Sequence, residues 1–142
     1  MKVFVVDDSV IIRQRLKRML ADELEIQVIG EAGDAQSATT AILEQKPEVV
    51  LLDIHLLNGS GIDVLQNLKK IKPGPAVIIL TDYPYPEYRQ LCLEAGADYF
   101  FVKSTEFDQI SPALKQLSQQ AADRSKTEAG NRTAPPTNIP SP

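Results

Sequence analysis

Apolar residues follow two alternating patterns along the chain. Short unbroken apolar runs, such as the one at residues 49–52, alternate with longer stretches in which apolar residues recur every three or four positions. The unbroken runs are typical of strands buried on both faces, and the three-to-four spacing is typical of helices that pack on one side. Five strand–helix pairs follow one another in this way. The predicted strands are 2–6, 26–30, 48–53, 76–80 and 98–102.

This alternation predicts the fold class. Strands that alternate with helices form a parallel sheet with right-handed crossovers and helices on both faces. We therefore expect an α/β three-layer sandwich built from five βα units. The flavodoxin-like strand order 2-1-3-4-5 is expected for its sheet, with strands one and three adjacent where the strand order reverses.

Several residues mark where the helices begin and end. Ser9 and Asp34 are suited to cap the first two helices, and Pro86 suits the first position of the fourth helix. Pro112 interrupts the apolar seam of the last helix, so we expect a short turn with a helix restart there, or a kink. Residues 55–61 contain an Asn-Gly pair and are predicted to form a loop.

The chain divides into a folded part and a tail. Its 142 residues are enough for one domain with a substantial core, and we place that domain at residues 1–121. From about residue 123 the composition changes, and the proline-rich stretch 134–142 lacks the apolar residues that a core needs. Residues 122–142 are therefore predicted to be a disordered tail, either inert or carrying a short linear binding motif.

Charge and cysteine content exclude several classes of function. The formal net charge of −4 argues against direct binding of nucleic acid. The single cysteine, Cys92, rules out an internal disulfide and is predicted to be a buried, inert thiol. The N-terminal apolar run is too short for a targeting or membrane segment. Together these features favour a cytoplasmic protein that does not engage a membrane.

The first predicted helix carries four basic residues beside its apolar stripe. A solvated face is the simplest interpretation of these charges, and a docking face for an acidic or phosphorylated partner is the alternative. The four residues are Arg13, Arg15, Lys17 and Arg18.

The residues that end the strands carry the candidate chemistry. They are Asp7 and Asp8 after the first strand, Asp53 after the third, Thr81 after the fourth and Lys103 after the fifth. Because the carboxyl ends of parallel strands lie at one edge of the sheet, we expect all five side chains to face a single crevice. Two carboxylates about 5 Å apart repel each other by roughly 3 kcal/mol at an effective dielectric near 20. Three carboxylates together therefore need a proton or a cation.

This set of side chains indicates phosphoryl transfer at a divalent cation. Oxygen ligands with room for water and a phosphate oxygen suit Mg²⁺, and the sequence has no His/Cys cluster of the zinc type. Asp53 is interpreted as a nucleophile toward phosphorus, since carboxylates form acyl-phosphate intermediates. Lys103 and Thr81 are suited to bind the oxyanion added to Asp53 and to spread its charge.

The strand-end residues resemble those of the receiver domain of two-component response regulators, and the resemblance covers about residues 1–121. Gly61, eight residues after Asp53, matches the same pattern. The resemblance implies that Asp53 is the phosphoacceptor and becomes a 4-aspartylphosphate. The donor would be a histidine kinase or a phosphotransfer protein. Thr81 and Lys103 would bind the phosphoryl group and report its presence.

The same resemblance implies a set of metal ligands and a switch. Asp7, Asp8 and Asp53 would hold Mg²⁺, directly or through water, and the backbone carbonyl of His55 would complete the protein ligands. Phe100 occupies the position of the family's switch aromatic and would act together with the strand-end threonine. The side chain of His55 is interpreted as an exposed loop residue, with an influence on the attacking water during dephosphorylation as the alternative.

The leading hypothesis is therefore a stand-alone response regulator, not a turnover enzyme. Its only chemistry would be its own phosphorylation and autodephosphorylation. Its output would be a changed protein-binding surface on the face of the fourth helix, fifth strand and fifth helix. Tyr85, Tyr88 and Arg89 are the candidate exposed contacts on that face. A monomer or a weak dimer is expected.

Four positions depart from the common pattern of the family. Asp82 replaces a small residue after the switch threonine and adds negative charge beside the site. Leu57 stands where proline is frequent, and Phe100 lacks a phenolic hydroxyl, although its ring can still rotate inward or outward. Ser104 follows the lysine where proline is common, and a Lys-Ser pair resembles receivers of the DNA-binding NarL/LuxR type.

Two other classes of function were weighed. A Mg²⁺-dependent phosphatase or phosphotransferase of the haloacid-dehalogenase type also uses an aspartate nucleophile, but it carries an Asp-x-Asp pattern where this chain has Asp7-Asp8-Ser9. An interaction module that no longer needs phosphorylation is the second, with Asp82 keeping the crevice inactive. A flavin or nucleotide binder is disfavoured because no glycine-rich loop follows the first strand.

Overall fold

A computed structural model describes residues 1–131 of the chain, with side chains described through residue 123. The strands are β1 (Lys2–Val6), β2 (Gln27–Ala32), β3 (Val49–Asp53), β4 (His55–Leu56), β5 (Gly59–Ser60), β6 (Ala76–Thr81) and β7 (Tyr99–Val102). The helices are α1 (Val10–Ala21), α2 (Ala35–Gln45), α3 (Gly61–Lys69), α4 (Pro86–Glu94), α5 (Lys103–Glu106) and α6 (Ile110–Asn131), with a 3-10 turn at Phe107–Gln109.

Five strands form one parallel sheet in the order β2-β1-β3-β6-β7. When the strands of this sheet are numbered alone, the order is 2-1-3-4-5, so the predicted flavodoxin-like α/β topology is confirmed. No helix in the described part of the chain combines the length and the apolar character that a membrane span requires.

The sheet separates two layers of apolar packing. Every residue of β3 is buried, and alternate residues face opposite sides: Val50 and Leu52 pack toward α2, α3 and α4, while Val49 and Leu51 pack toward α1 and α6. This central strand therefore provides a rigid support for the carboxylate at its end. Cys92 lies fully buried on α4, where burial raises the pKa of its thiol to about 11, as expected for an inert cysteine.

The predicted helix caps are confirmed. The Ser9 hydroxyl accepts a hydrogen bond from the backbone N–H of Ile12 at 3.2 Å, and the Asp34 carboxylate accepts one from Ser37 at 2.8 Å. Pro86 is the first residue of α4. These caps satisfy N–H groups that the first turn of a helix leaves without intrahelical partners.

The prediction of a loop at residues 55–61 is wrong in part. His55–Leu56 and Gly59–Ser60 pair as a short antiparallel ribbon, and Asn58 takes a positive φ of 55° that closes the turn between them. The ribbon is fixed to α2, because the Leu57 carbonyl accepts a hydrogen bond from the Ala35 N–H at 3.1 Å. This long-range contact is what the turn residues alone did not reveal.

The last helical segment also differs from the prediction. The turn falls at Phe107–Gln109, and Pro112 lies in the first turn of α6, where a missing N–H breaks no hydrogen bond. The helix then continues to Asn131. The predicted domain end at residue 121 therefore falls within this helix, which includes residues 122–131, and the division into domain and tail stays a prediction. The predicted proline-rich segment 134–142 lies outside the described residues.

Candidate functional site

The structure brings the five strand-end residues to one edge of the sheet. Asp7 and Asp8 follow β1, Asp53 ends β3, Thr81 ends β6 and Lys103 directly follows β7. Four of the five are buried, and they are the only buried polar or charged side chains among the described residues. Asp8 is exposed. Because buried polar groups are costly, their concentration at one place marks this edge as the candidate functional site.

Lys103 is shared between two carboxylates. Its Nζ lies 2.6 Å from Asp7 Oδ2 and 3.0 Å from Asp53 Oδ2. The ammonium is 7% exposed and the two carboxylates are almost fully buried, so little water screens the three charges. The cluster has one positive and two negative charges, and it therefore keeps an excess of negative charge when all three groups are ionised.

The other oxygens of these carboxylates accept hydrogen bonds from nearby backbone groups. The N–H of Ser9 donates to Asp7 Oδ1 at 2.9 Å, and the N–H of His55 donates to Asp53 Oδ1 at 3.4 Å. Asp7 Oδ2 has no hydrogen-bond partner among the described residues, so its close contact with Lys103 is an ion pair only. A buried carboxylate oxygen with unused lone pairs is suited to bind a cation.

Burial changes the pKa of both charged partners. The pKa of Asp53 is raised to about 6, mainly by burial and partly by the neighbouring charge of Asp7, while Lys103 works in the opposite direction. Burial lowers the pKa of Lys103, but its contacts with Asp7 and Asp53 outweigh burial and leave that pKa above its ordinary value. Lys103 is therefore charged, and Asp53 is mostly ionised at neutral pH.

The three acids fit a divalent cation. One carboxylate oxygen from each of Asp7, Asp8 and Asp53 lies within 4.8 Å of the others. The donors are all oxygens, the local charge is negative, and the buried Oδ2 of Asp7 accepts no hydrogen bond among the described residues. Hard cations such as Mg²⁺ prefer this kind of ligand set. The role of the His55 carbonyl as a further ligand stays a prediction.

Gly61 matches the family pattern for a steric reason. A Cβ at this position would lie 1.9 Å from the carbonyl oxygen of Asp53, which no side chain can tolerate. The N–H of Gly61 also donates to the carbonyl of Ile54 at 2.7 Å. The start of α3 thus packs directly against the backbone that carries Asp53, and only glycine permits this approach.

The two predicted switch residues occupy defined positions. The hydroxyl oxygen of Thr81 accepts a hydrogen bond from the backbone N–H of Tyr83 at 2.9 Å. The ring of Phe100 is buried against the α2–α4 layer, and the guanidinium of Arg89 lies 5.5 Å from its centre. Phe100 is therefore directed inward in this structure.

Aromatic rings form a patch beside the site. The ring of His55 contacts that of Tyr83 edge-on at 4.2 Å, and Tyr85 lies between Tyr83 and Tyr88 with centroid distances of 6.3 and 5.7 Å. His55 is exposed as expected, but its ring packs on the loop that follows Thr81. Of the predicted contact residues, Tyr85 and Arg89 are exposed and Tyr88 is half-buried.

Arg13 is a site residue that the sequence interpretation missed. It was assigned to a solvated or docking face of α1, but its Nη1 donates to the carbonyl oxygen of Asp7 at 2.6 Å. Its Nε pairs with Glu31 at 2.9 Å, and its side chain is only 15% exposed. The signal available in the sequence was the acidic residue near the end of the strand that neighbours β1, opposite a basic residue on the following helix.

Comparisons with known proteins agree with the fold. A family model described as the response regulator receiver domain matches residues 3–115. The sensory transduction protein LytT of Bacillus cereus is 31% identical over 128 residues, which cover 90% of this chain and 51% of LytT. The transcriptional activator DevR/DosR of Mycobacterium tuberculosis is 33% identical over 116 residues, covering 82% of this chain and 54% of that protein.

A solved structure is also similar to this chain in both sequence and fold. The response regulator domain of CheB from Thermotoga maritima superimposes with a TM-score of 0.72 at 31% identity, covering 84% of this chain and 94% of that domain. The chain spans about half the length of the two curated relatives. The family model, the parallel sheet and the acidic edge together identify the chain as a member of the response regulator receiver family of two-component signalling.

Proposed function

We propose that this receiver domain accepts a phosphoryl group on Asp53 from a histidine kinase or a phosphotransfer protein, in a Mg²⁺-dependent reaction. The observation that supports this most strongly is the burial pattern: the only buried polar or charged side chains of the described residues, Asp7, Asp53, Thr81 and Lys103, lie together at the end of the central strands. A purely structural domain has no reason to desolvate two carboxylates beside one lysine.

Asp53 acts as the nucleophile in the proposed reaction. A lone pair on its carboxylate oxygen forms the new bond to phosphorus, while the bond from phosphorus to the donor's imidazole nitrogen breaks and its electron pair stays on the imidazole. The product is an aspartyl phosphate. Asp53 must be ionised to react, and its pKa of about 6 leaves the carboxylate available at neutral pH.

The neighbouring residues stabilise the added charge. Lys103 already contacts Asp53 Oδ2 at 3.0 Å, so its ammonium is placed to neutralise an oxygen of the transferred group. Asp7 and Asp8 hold the divalent cation together with Asp53. The cation supplies charge neutralisation for the phosphoryl oxygens. Autodephosphorylation by water is the only other reaction that this proposal includes.

The proposed output begins at Thr81. A phosphoryl group adds a charge of roughly −1.5 to −2 at neutral pH and provides strong acceptor oxygens. The Thr81 hydroxyl donates to one of them, and the resulting shift breaks its present hydrogen bond with the Tyr83 N–H. That loop leads into α4, and Phe100 lies beneath the same helix. The surface of α4, β7 and α6, with Tyr85 and Arg89 exposed, is then the proposed binding face for a protein partner.

The proposal also covers the domain boundaries, the location, the oligomeric state and the class of the protein. Residues 1–121 form the receiver domain, and residues 122–142 form a proline-rich C-terminal tail. The protein works as a single-domain regulator in the cytoplasm, as a monomer or a weak dimer, without direct contact with nucleic acid. It is not a turnover enzyme.

Incubation with acetyl phosphate and Mg²⁺, followed by intact-protein mass spectrometry, tests the proposal. The wild-type chain is expected to gain one phosphoryl group, and Asp53→Asn is expected to gain none. Asp98→Asn removes a carboxylate at the opposite edge of the sheet and serves as a matched control that still gains phosphate. Phosphorylation that persists in Asp53→Asn but disappears in Asp7→Asn would support the phosphatase-like alternative instead.

A further inference from the structure

Asp7 is held at every one of its polar groups. Its N–H donates to the carbonyl of Ala32 at 3.1 Å, and its carboxylate contacts the Ser9 N–H at 2.9 Å and the Lys103 ammonium at 2.6 Å. Its carbonyl oxygen accepts the 2.6 Å hydrogen bond from Arg13. Three of these partners belong to the backbone or to the proposed phosphorylation chemistry. Arg13 is the partner that has neither role.

Asp8 differs sharply from Asp7. Its side chain is exposed, and within the described part of the chain it makes no side-chain hydrogen bond or ion pair. Only the backbone therefore restrains where the Asp8 side chain begins. The carbonyl that Arg13 holds belongs to the peptide unit that joins Asp7 to Asp8. Fixing that peptide plane fixes where the Asp8 Cα lies relative to Asp7, and so limits the region that the Asp8 carboxylate can reach.

Arg13 itself is held in a defined socket. Its Nε donates to Glu31 Oε1 at 2.9 Å, while Lys17 pairs with the other oxygen of the same carboxylate. The rigid planar guanidinium can make both of its contacts at once, which a lysine ammonium at the end of a flexible chain cannot reproduce. A Cβ at Gly33 would lie 3.0 Å from Arg13 Nη1, so glycine at this position leaves the guanidinium its space.

We infer that Arg13 is a positioning residue for the divalent cation, anchored by Glu31 and acting through the carbonyl of Asp7 on the Asp7–Asp8 pair. The inference rests on the proposed function, in which these acids and Asp53 hold Mg²⁺. The inference adds to that site a residue that does not contact the cation. The guanidinium of Arg13 sets the geometry of two of the cation's ligands, Asp7 and Asp8. Partners of this kind typically change metal affinity by about 10- to 100-fold when they are removed.

The sign of the effect separates positioning from simple electrostatics. Arg13 carries a positive charge close to three acids that bind a cation. If it acted only through its charge, its removal would strengthen Mg²⁺ binding, because a repulsive charge would be lost. If it positions the ligands, its removal weakens binding. A merely structural role would lower the stability of the fold and leave the Mg²⁺ affinity of the folded protein unchanged.

The test is a calorimetric Mg²⁺ titration of the full chain and four variants, each checked by thermal unfolding. Arg13→Ala is expected to bind Mg²⁺ about 10- to 100-fold more weakly than wild type. Arg13→Lys keeps the charge but not both contacts, and Glu31→Gln weakens the anchor, so both are expected to show smaller losses in affinity. Lys17→Gln is the matched control: it removes a cation from the same glutamate without touching Asp7, and its affinity should equal that of wild type or exceed it.

Each outcome decides the question. Unchanged or tighter binding in folded Arg13→Ala overturns the inference while leaving the proposed function in place. If Arg13→Ala does not fold, the same criterion applies to Arg13→Lys and Glu31→Gln, and wild-type affinity in both overturns the inference. An equal loss in Lys17→Gln also overturns it, since that variant spares the Asp7 contact. A wild-type chain that binds no Mg²⁺ contradicts the proposed metal site itself, a result distinct from the others.

Discussion

Lysine–aspartate clusters stand at both edges of the sheet, and they are built differently. At the amino edge, Lys69 Nζ pairs with Asp98 Oδ2 at 3.1 Å, and the same oxygen accepts a hydrogen bond from the Val77 N–H at 2.8 Å. Lys69 also donates to the carbonyl of Pro75 at 3.2 Å. One ammonium faces one carboxylate, and both side chains remain partly exposed.

The cluster at the carboxyl edge differs from the amino-edge cluster in each of these respects. Lys103 faces two carboxylates, Asp7 and Asp53, and all three side chains are buried. One oxygen of Asp7 has no hydrogen bond among the described residues, and burial raises the pKa of Asp53 to about 6. The amino-edge cluster joins α3 to the sheet at little cost. The carboxyl-edge cluster holds excess negative charge in a buried place, and a divalent cation bound there would relieve it.

Removal of the buried lysine is expected to have the largest effect on stability. Lys103→Met leaves two buried carboxylates without a cation, and breaking a buried pair in this way typically costs about 3–5 kcal/mol. Urea unfolding at pH 8 measures the loss. The loss should shrink at pH 5, because protonation of the acids removes the uncompensated charge. A variant as stable as wild type at pH 8 would show that the two carboxylates do not depend on Lys103.

Neutralisation of Asp53, the proposed phosphoacceptor, is expected to act in the opposite direction. The pKa of Asp53 is raised by the fold, so the folded state binds its proton more tightly than the unfolded state. The contribution of Asp53 to stability is therefore fully present below its unfolded pKa of 3.8 and is lost as the pH rises through about 6. Asp53→Asn removes this penalty and should raise the free energy of unfolding by about 3 kcal/mol at pH 7.

The matched control for that prediction lies at the other edge. Asp98→Asn loses an ion pair and weakens the acceptor of the Val77 N–H, so it should destabilise the fold slightly at the same pH. Urea unfolding of both variants at pH 7 and pH 4 provides the comparison. Destabilisation of Asp53→Asn at pH 7 would contradict the view that the ionised carboxylate is held at a cost.

Proton and metal are expected to compete for Asp53. Because a carboxylate must be deprotonated to bind a cation, Mg²⁺ affinity should be about tenfold lower one pH unit below the pKa of about 6 than well above it. Calorimetric titration at pH 5 and pH 8 measures the ratio, with Asp53→Asn as the variant that has no such proton. An affinity independent of pH in the wild-type chain would mean that Asp53 does not take part in binding.

The smallest effect is expected at the amino edge. Lys69→Met should cost up to about 1 kcal/mol, since partly exposed ion pairs contribute little. That cost should fall further at high salt, whereas the cost of Lys103→Met should change little because its partners are buried. Urea unfolding of both variants at low and high salt makes the comparison. If the loss of stability in Lys103→Met depended on salt, the charges around Lys103 would be exposed to water. That result would contradict the distinction between the two edges.

The sequence predicted the members of the site better than their contacts. Asp53 and Thr81 could be assigned because strand ends are visible as places where an apolar run stops. The burial of Asp7 and the exposure of Asp8 could not, since neighbouring residues with the same side chain differ only in the direction that the backbone gives them. The role of Arg13 was hidden for a related reason, because a long side chain on a helix looks solvated until the neighbouring strand supplies its partner.

The sequence predicted those parts of the fold that depend on local apolar patterns. It did not predict the parts whose conformation depends on contacts between distant residues. Five strand–helix pairs determined the sheet order, but the ribbon at His55–Ser60 depends on a hydrogen bond between Leu57 and Ala35. Pro112 was read as an interruption, although a proline in the first turn of a helix removes no hydrogen bond. Residues 122–131 contain no proline and include several good helix formers, so α6 continues where the change in composition had predicted disorder.

The buried cluster around Lys103 is proposed to serve phosphoryl transfer to Asp53, with Mg²⁺ balancing its negative charge. The most direct test is chemical mapping of the modified residue. The chain is treated with acetyl phosphate and Mg²⁺ and then with borohydride, which reduces an aspartyl phosphate to homoserine, and peptide mass spectrometry locates the change. We expect homoserine at position 53 alone, and none when Mg²⁺ is removed by a chelator. Reduction at Asp7, Asp8 or Asp82, or no reduction anywhere, would contradict it.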